Sequence, residues 1–96
     1  MVFQEVLYLK KRMLFVVNPS SGTLKIKDSL LEVCQIFGEH GYEITLNVTK
    51  YIKDAMKEAL ESGQTYDLIV CCGGDGTFNS TVSSLIRHNN TTPVGY

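Results

Sequence analysis

The segment with the clearest chemical character is a glycine-rich loop that follows an apolar run. Residues 68–72 are Leu-Ile-Val-Cys-Cys, and residues 73–77 are Gly-Gly-Asp-Gly-Thr. Glycine has no Cβ atom, so the loop can turn sharply and let a ligand approach the backbone closely. With a strand before the loop and a helix after it, the free N–H groups at the start of the helix favour a bound anion, above all phosphate.

Asp75 places a carboxylate among these N–H groups. A carboxylate repels bare phosphate, but it suits a metal ion or a donor group on the ligand. A nucleoside triphosphate with Mg²⁺ fits this mixture of charges. The loop lacks the lysine of the Gly-x-x-x-x-Gly-Lys-Ser/Thr pattern and the third glycine of the dinucleotide fingerprint. Five consecutive specified residues after an apolar strand are nevertheless hard to explain as a plain turn, so we interpret them as a ligand-binding loop.

Two other polar segments follow apolar runs. Residues 18–22 are Asn-Pro-Ser-Ser-Gly, and the Thr49-Lys50 junction follows the alternating run 42–48. Each segment alone is typical of a turn. In a parallel sheet, however, the carboxyl ends of the strands meet at one edge, where ligands bind. We therefore expect both segments to join the glycine loop in one cradle of small hydrogen-bonding groups.

The order of apolar patterns is strand–helix repeated three times, followed by a last strand. We expect strands at 13–17, 42–48, 67–72 and from 93 onward, and helices from 28 to the glycines at 38 and 41, at 52–60 and at 78–88. This order with short links predicts an α/β fold, with a parallel sheet in a three-layer nucleotide-binding domain. Within it, the alternating strand 42–48 belongs near an edge, and the apolar strand 67–72 belongs at the centre, buried on both faces.

Two helices show apolar stripes that predict which face is buried. In the middle helix, which ends at Ser62-Gly63, the apolar stripe consists of Ile52, Ala55, Met56, Ala59 and Leu60. In the last helix it consists of Phe78, Val82, Leu85 and Ile86.

The composition excludes several classes of protein. Among 96 residues, 44% are hydrophobic and 20% charged, and the net charge of −1 leaves no electrostatic footprint for nucleic acid. No apolar run approaches the about 20 residues of a membrane span, and the first residues lack the order of a signal peptide. We expect a cytoplasmic protein whose three cysteines are free thiols in apolar surroundings.

The domain organisation predicted from the sequence is a leader and an incomplete domain. A methionine at 13 makes residues 1–12 look like a leader or a vector remnant. Residues 93–96, Pro-Val-Gly-Tyr, read as a strand that begins where the chain stops. We therefore interpret 13–96 as the amino-terminal part of a domain. We expect its uncovered apolar surface to pack against the missing part or against another copy in a homo-oligomer.

Together, these motifs resemble the diacylglycerol kinase catalytic domain family, in particular its bacterial soluble lipid kinases. The resemblance rests on Asn18–Gly22, on Gly73–Thr77, on Val48-Thr49 and on Asp54-Ala55, with matching spacing over 13–96. It implies an α/β nucleotide-binding domain followed by a β-rich domain. It also implies transfer of the γ-phosphoryl group of ATP, with Mg²⁺, to a lipid hydroxyl at the membrane surface. Diacylglycerol would give phosphatidic acid, although the sequence does not identify the lipid.

The resemblance also implies residue roles. The residues expected to contact ATP are Asn18, Pro19, Ser20, Ser21, Gly22, Thr49, Gly73, Gly74, Asp75, Gly76, Thr77, Phe78 and Asn79. Thr77 would contribute its hydroxyl and a helix-start N–H, and Asp75 would organise the loop or the metal-bound phosphates. The metal ligands and the general base are expected beyond Tyr96, so these 96 residues alone should have no kinase activity. Ser80 stands where the family commonly has glutamate, which is expected to weaken interactions with metal or with the start of the helix.

Two alternatives use the same loop. NAD kinases and phosphofructokinase-like enzymes also carry Gly-Gly-Asp-Gly, but they do not usually combine it with a turn like 18–22. A non-catalytic nucleotide-binding domain would agree with Ser80 and with the missing second domain. Sphingosine and ceramide kinases share both motifs in variant form.

Overall fold

The computed structural model describes residues 10–20 and 25–96. Most of the expected leader, together with Ser21 and Gly22, lies outside the described residues. The elements, in chain order, are β1 Lys11–Val17, α1 Lys25–Glu39, β2 Tyr42–Val48, α2 Ile52–Glu61, β3 Leu68–Cys72, α3 Asp75–Arg87 and β4 Val94–Gly95. The predicted α/β order is confirmed, although α1 begins three residues earlier than the expected start at Asp28.

The four strands form one parallel sheet in the order β2-β1-β3-β4. Strand β1 pairs with β2 on one side and with β3 on the other, so that Phe15 lies opposite both Leu46 and Val70. The alternating strand β2 is at an edge, and the more apolar β3 is in the interior of the sheet, as the sequence predicts.

Helices cover both faces of the sheet because successive side chains of a strand point to opposite faces. On one face, Leu14 and Val16 of β1 pack with residues of α2 and α3 in a buried cluster that also contains Ile52, Met56, Ile69 and Leu85. On the other face, Met13, Phe15 and Val17 pack against α1, whose contributing side chains are Leu30, Val33, Cys34 and Phe37. The three-layer arrangement is therefore confirmed.

The strand that is buried on both faces is β1, whereas β3 was expected to be. All five residues from Met13 to Val17 are buried. In β3, Ile69 and Cys71 are buried, but the alternate side chains Leu68, Val70 and Cys72 are only partly buried. The reason is the position of α1, which packs against β1 and β2 and leaves the β3 side of that face less covered.

The buried face of α3 differs from the apolar stripe in its sequence. Its buried residues are Thr77, Thr81, Ser84 and Leu85, whereas Ile86 is 71% exposed. The hydroxyls of Thr81 and Ser84 donate to the carbonyl oxygens of Thr77 and Ser80, each at 2.8 Å. Because the helix backbone accepts these hydrogen bonds, the hydroxyls can be buried at little cost in free energy. Their small side chains also suit the face of α3 that contacts α2 and β3.

The three cysteines are free, as predicted, and Cys71 is fully buried. Burial raises the pKa of the Cys71 and Cys72 thiols, which keeps both protonated at neutral pH. Among the residues that the structure describes, no helix is long and apolar enough to cross a membrane.

A histidine–carboxylate pair joins the ends of α2 and α3. His88 Nδ1 lies 2.8 Å from the Ser84 carbonyl oxygen, and its Nε2 lies 3.0 Å from Glu61 Oε2. Both ring nitrogens face acceptors, so the doubly protonated imidazolium satisfies both contacts. The hydrogen bond with Glu61 is accordingly the main cause that raises the pKa of His88, and the same bond lowers the pKa of Glu61.

This pair predicts a pH-dependent contribution to stability. A raised histidine pKa stabilises the fold below the ordinary value of 6.5, and the contribution fades as pH rises through the higher folded value. The lowered pKa of Glu61 contributes stability above the ordinary value of 4.5, and this contribution fades as pH falls through the lower folded value.

Urea denaturation should therefore show a larger loss of stability for Glu61→Gln at about pH 5.5 than at about pH 8.5. Glu58→Gln, an exposed change on the same helix, is the control. An equal loss at both pH values for Glu61→Gln would contradict the role of the pair.

Candidate functional site

A cleft of ≈ 530 Å³ lies at the carboxyl ends of the strands, between the beginnings of α2 and α3. Its lining residues come from the turn after β1, the β2–α2 junction and the glycine loop with the first turns of α3: Asn18, Lys50, Tyr51, Ile52, Lys53, Asp54, Gly74, Gly76, Thr77 and Ser80. The three segments that the sequence predicted to meet at one edge of the sheet therefore do meet there.

Two backbone hydrogen bonds extend the strand pairing into these loops. The Thr49 N–H donates to the Val17 carbonyl oxygen at 2.8 Å, and the Asn18 N–H donates to the Cys72 carbonyl oxygen at 2.9 Å. The first bond ties the β2–α2 junction to the end of β1, and the second ties the turn after β1 to the end of β3. The cleft is thus positioned by the sheet.

The glycine loop turns directly into α3. Gly73 has a φ of 155°, a conformation that side-chain-bearing residues rarely adopt, so this position requires glycine. Gly74 is the N-cap residue and provides no side-chain cap, and Tyr51 at the start of α2 makes no side-chain cap hydrogen bond either. Both helix starts at the cleft therefore leave backbone N–H groups without a side-chain acceptor.

Gly76 has a different reason to be glycine. It lies in the first turn of α3, and a Cβ atom built there would meet nothing within 4 Å. No positive φ requires glycine at this position. Since Gly76 lines the cleft, the space beside it is available to a ligand.

The Thr77 hydroxyl has an unusual environment. The residue is only 4% exposed, and its Oγ1 is a buried polar atom without a hydrogen-bond partner in the part of the chain that the structure describes. A buried unpaired hydroxyl costs about 1–3 kcal/mol. Because Thr77 lines the cleft at the uncapped start of α3, a ligand with acceptor oxygens would supply the missing partner.

The turn after β1 is organised by Asn18. Its Oδ1 accepts hydrogen bonds from the Ser20 N–H at 3.0 Å and from the Ser20 hydroxyl at 2.8 Å. Asn18 itself lines the cleft, whereas Pro19 and Ser20 are not among the lining residues.

Three other described residues of the predicted site, Thr49, Asp75 and Phe78, are not among the residues that line the cleft. The Thr49 hydroxyl accepts the Tyr51 N–H at 2.9 Å and so shapes the turn before α2. Asp75 accepts a hydrogen bond from the Tyr96 hydroxyl at 3.3 Å, and the Phe78 ring lies 4.9 Å from that of Tyr96. Desolvation and the Asp75 charge both raise the pKa of Tyr96, so that hydroxyl stays a donor. Of the predicted site residues that the structure describes, Asn18, Gly74, Gly76 and Thr77 line the cleft, and the contacts of the others with a ligand stay predictions.

The residues at the start of α2 were not predicted from the sequence to bind a ligand. Lys50, Lys53 and Asp54 line the cleft, and so does Ser80, which sequence analysis noted only as a departure. Lys50 belongs to the Thr49-Lys50 junction that the sequence predicts at this rim, but it is not among the residues expected to contact ATP. Asp54 belongs to the Asp54-Ala55 pair of the family resemblance, but its place at the cleft, like that of Lys53, depends on the position of α2, which the sequence pattern does not reveal.

No group of three or more histidine, cysteine, aspartate or glutamate side chains among residues 10–20 and 25–96 is arranged to hold a metal ion. Among the described residues that line the cleft, Asp54 is the one with a carboxylate. A magnesium ion that arrives with a nucleotide takes much of its coordination from phosphate oxygens and water, so a single protein carboxylate is compatible with it.

Comparison with known proteins agrees with these features. The model of the diacylglycerol kinase catalytic domain matches residues 12–96. A diacylglycerol kinase of Bacillus subtilis is 37% identical over 86 residues, which are 88% of this chain and 28% of that protein. The diacylglycerol kinases of Staphylococcus saprophyticus and of Staphylococcus aureus strain MRSA252 are each 32% identical over 88 residues, which are 91% of this chain and 29% and 28% of those proteins.

The chain thus spans less than a third of the length of these curated relatives, and it matches their amino-terminal part. The match covers the described elements apart from Lys11, the first residue of β1, and includes both the turn after β1 and the glycine loop. The resemblance inferred from the motifs is confirmed: this chain belongs to the diacylglycerol kinase catalytic domain family.

Proposed function

We propose that this chain supplies the ATP-binding part of a lipid kinase that transfers the γ-phosphoryl group of ATP to a lipid hydroxyl. Diacylglycerol, which would give phosphatidic acid, is the acceptor that the names of the relatives favour. The observation that carries the nucleotide assignment is the unpaired Thr77 Oγ1, buried at the uncapped start of α3 beside the cleft. A buried donor without an acceptor calls for an oxygen-rich ligand.

The chemistry of the lining supports an anionic ligand. Two helix starts contribute partial positive charge and N–H donors, and Lys50 and Lys53 add full positive charges. The Thr77 and Ser80 hydroxyls and the Asn18 side chain add neutral hydrogen-bonding groups. This combination suits a phosphate chain joined to a polar nucleoside, with Mg²⁺ neutralising part of the charge.

Phosphoryl transfer depends mainly on positioning and on charge neutralisation. In the reaction the bond between the γ-phosphorus and the β–γ bridging oxygen breaks, a bond to the lipid oxygen forms, and the hydroxyl proton leaves. The described residues would hold the phosphates through the α3 N–H groups and the Thr77 hydroxyl. We assign the lipid groove, the proton acceptor and further metal ligands to segments other than these residues, and we place the enzyme in the cytoplasm, peripheral to the membrane.

Thr77→Val tests the proposed phosphate contact. Valine has a similar shape and removes the unpaired hydroxyl, so the ligand-free protein should gain about 1 kcal/mol of unfolding free energy. ATP affinity should fall about tenfold, because the ligand loses a hydrogen bond to a charged group. Urea denaturation and calorimetric titration measure the two effects. A rise in unfolding free energy together with a fall in ATP affinity distinguishes a ligand contact from a structural role, which would lower the unfolding free energy.

Thr81→Val is the matched control. Thr81 is one turn further along α3, is fully buried, and donates its hydroxyl to the Thr77 carbonyl oxygen. Its replacement should bring no stability gain and leave ATP affinity unchanged. Loss of stability with unchanged ATP binding in Thr77→Val would contradict the proposed contact.

Gly76→Ala tests whether the ligand occupies the space at the start of α3. Alanine meets no atom within 4 Å there and is the better helix former, so the unfolding free energy should rise by about 0.5 kcal/mol. Because Gly76 lines the cleft, we expect the added methyl group to take up space that the ligand needs, so ATP affinity should fall at least about tenfold. Gly38→Ala, in α1 and equally free of contacts, should change stability similarly and leave ATP affinity unchanged. Normal ATP affinity in Gly76→Ala would place the ligand elsewhere.

The activity itself is tested on the full-length protein with labelled ATP, Mg²⁺ and diacylglycerol micelles. We expect labelled phosphatidic acid from the parent and at least about tenfold less from Thr77→Val. A parallel reaction with NAD as acceptor tests the alternative that shares the glycine loop. Labelled NADP with no lipid product would replace the lipid kinase assignment, and ATP binding without any product would favour a non-catalytic domain. The 96 residues alone should bind ATP but give no product.

A further inference from the structure

Two lysines border the cleft on the side opposite the glycine loop. Lys50 lies in the β2–α2 junction and Lys53 in the first turn of α2, and both are exposed. The Lys50 Nζ lies 5.4 Å from the centroid of the ring of Tyr51, which also lines the cleft, in a cation–π contact. The sequence places Lys50 in the Thr49-Lys50 junction at this rim, but neither lysine is among the residues expected to contact ATP.

Neither lysine is neutralised within the part of the chain that the structure describes. The ion pair found among the described residues joins His88 to Glu61, and it lies at the ends of α2 and α3 that are far from the cleft. Asp54 also lines the cleft but forms no ion pair with Lys50 or Lys53 in the described residues. The two ammonium groups outnumber the single Asp54 carboxylate among the described residues of this wall, and the uncapped start of α2 adds partial positive charge, so the net charge of the wall is positive.

The opposite wall carries an independent sign of a ligand. There the buried Thr77 Oγ1 has no hydrogen-bond partner among the described residues, and Gly74 and Gly76 expose the backbone at the start of α3. The glycine loop itself provides no lysine, unlike the phosphate loop in which a lysine follows the glycines directly. A phosphate chain at α3 would thus face the two lysines of the opposite wall.

We propose that Lys50 and Lys53 contact the phosphate chain of the bound nucleotide and make affinity increase with the number of phosphates. The inference deepens the proposed function and rests on it, since it assigns the charge-neutralising groups of the same cleft. Lysine is suited to this role because its ammonium group is a compact charge on a flexible stem.

The test compares Lys50→Gln and Lys53→Gln with Lys57→Gln in the full chain. Lys57 is an exposed lysine one turn beyond Lys53 on α2, and it is not among the lining residues. Calorimetric titrations with ATP, ADP and AMP are run at low and high NaCl concentration. We expect each cleft substitution to lower ATP affinity about tenfold, ADP affinity less, and AMP affinity little. The salt dependence of ATP binding should become shallower, and Lys57→Gln should behave like the parent.

Three results would overturn the inference. Unchanged ATP affinity in both variants would remove the lysines from the site. Equal losses for ATP and AMP would mean that the lysines act on the nucleoside or on the fold. Reduced binding to vesicles of anionic phosphatidylglycerol, with ATP affinity unchanged, would assign the lysines to a membrane surface. In each case a parent protein that still binds ATP leaves the proposed function intact, whereas a parent that binds no nucleotide overturns both proposals.

Discussion

The pairing of β1 with strands on both of its sides is the interaction on which the rest of the structure depends. Its backbone bonds to β2 and β3, and its side chains from Met13 to Val17 are buried under helices on both faces. The same pairing continues past the strand ends, where Val17 accepts the Thr49 N–H and Asn18 donates to Cys72. These two bonds bring loops that are distant in sequence to one edge of the sheet. A change that displaced β1 would therefore separate the walls of the cleft as well as open the core.

The cleft contains groups that the fold alone does not explain. Gly73 is required by its backbone conformation, whereas Gly76 has neither a positive φ nor a nearby atom that would exclude a side chain. The unpaired Thr77 hydroxyl lowers the stability of the free protein, since a buried donor without an acceptor is costly. Such local departures from optimal stability are common at functional sites. Here they agree with membership of a kinase family, whose chemistry depends on positioned phosphate groups.

Much of the fold could be predicted because its patterns are local. The alternation of β2 and the apolar stripe of α2 correspond closely to the observed elements, and Ile52 and Met56 are buried as expected. The orientation of α3 could not be predicted, because Thr77, Thr81 and Ser84 appear polar in sequence. Their hydroxyls become compatible with burial only through bonds to the helix backbone or, for Thr77, through the contact that we propose with a ligand. Hydrophobic periodicity contains no information about such bonds.

By itself, the sequence determined the order of strands and helices, the glycine loop and the family, because these depend on short-range patterns and on consecutive residue types. It also placed Asn18 and Thr77 at one site, because parallel topology follows from that order. Only the tertiary structure decided that Lys50, Lys53 and Asp54 form the opposite wall, and that Asp75 contacts Tyr96 outside the residues that line the cleft. These relations depend on how α2 and α3 pack on the sheet and on the direction of each side chain. Both arise from contacts between residues far apart in the chain.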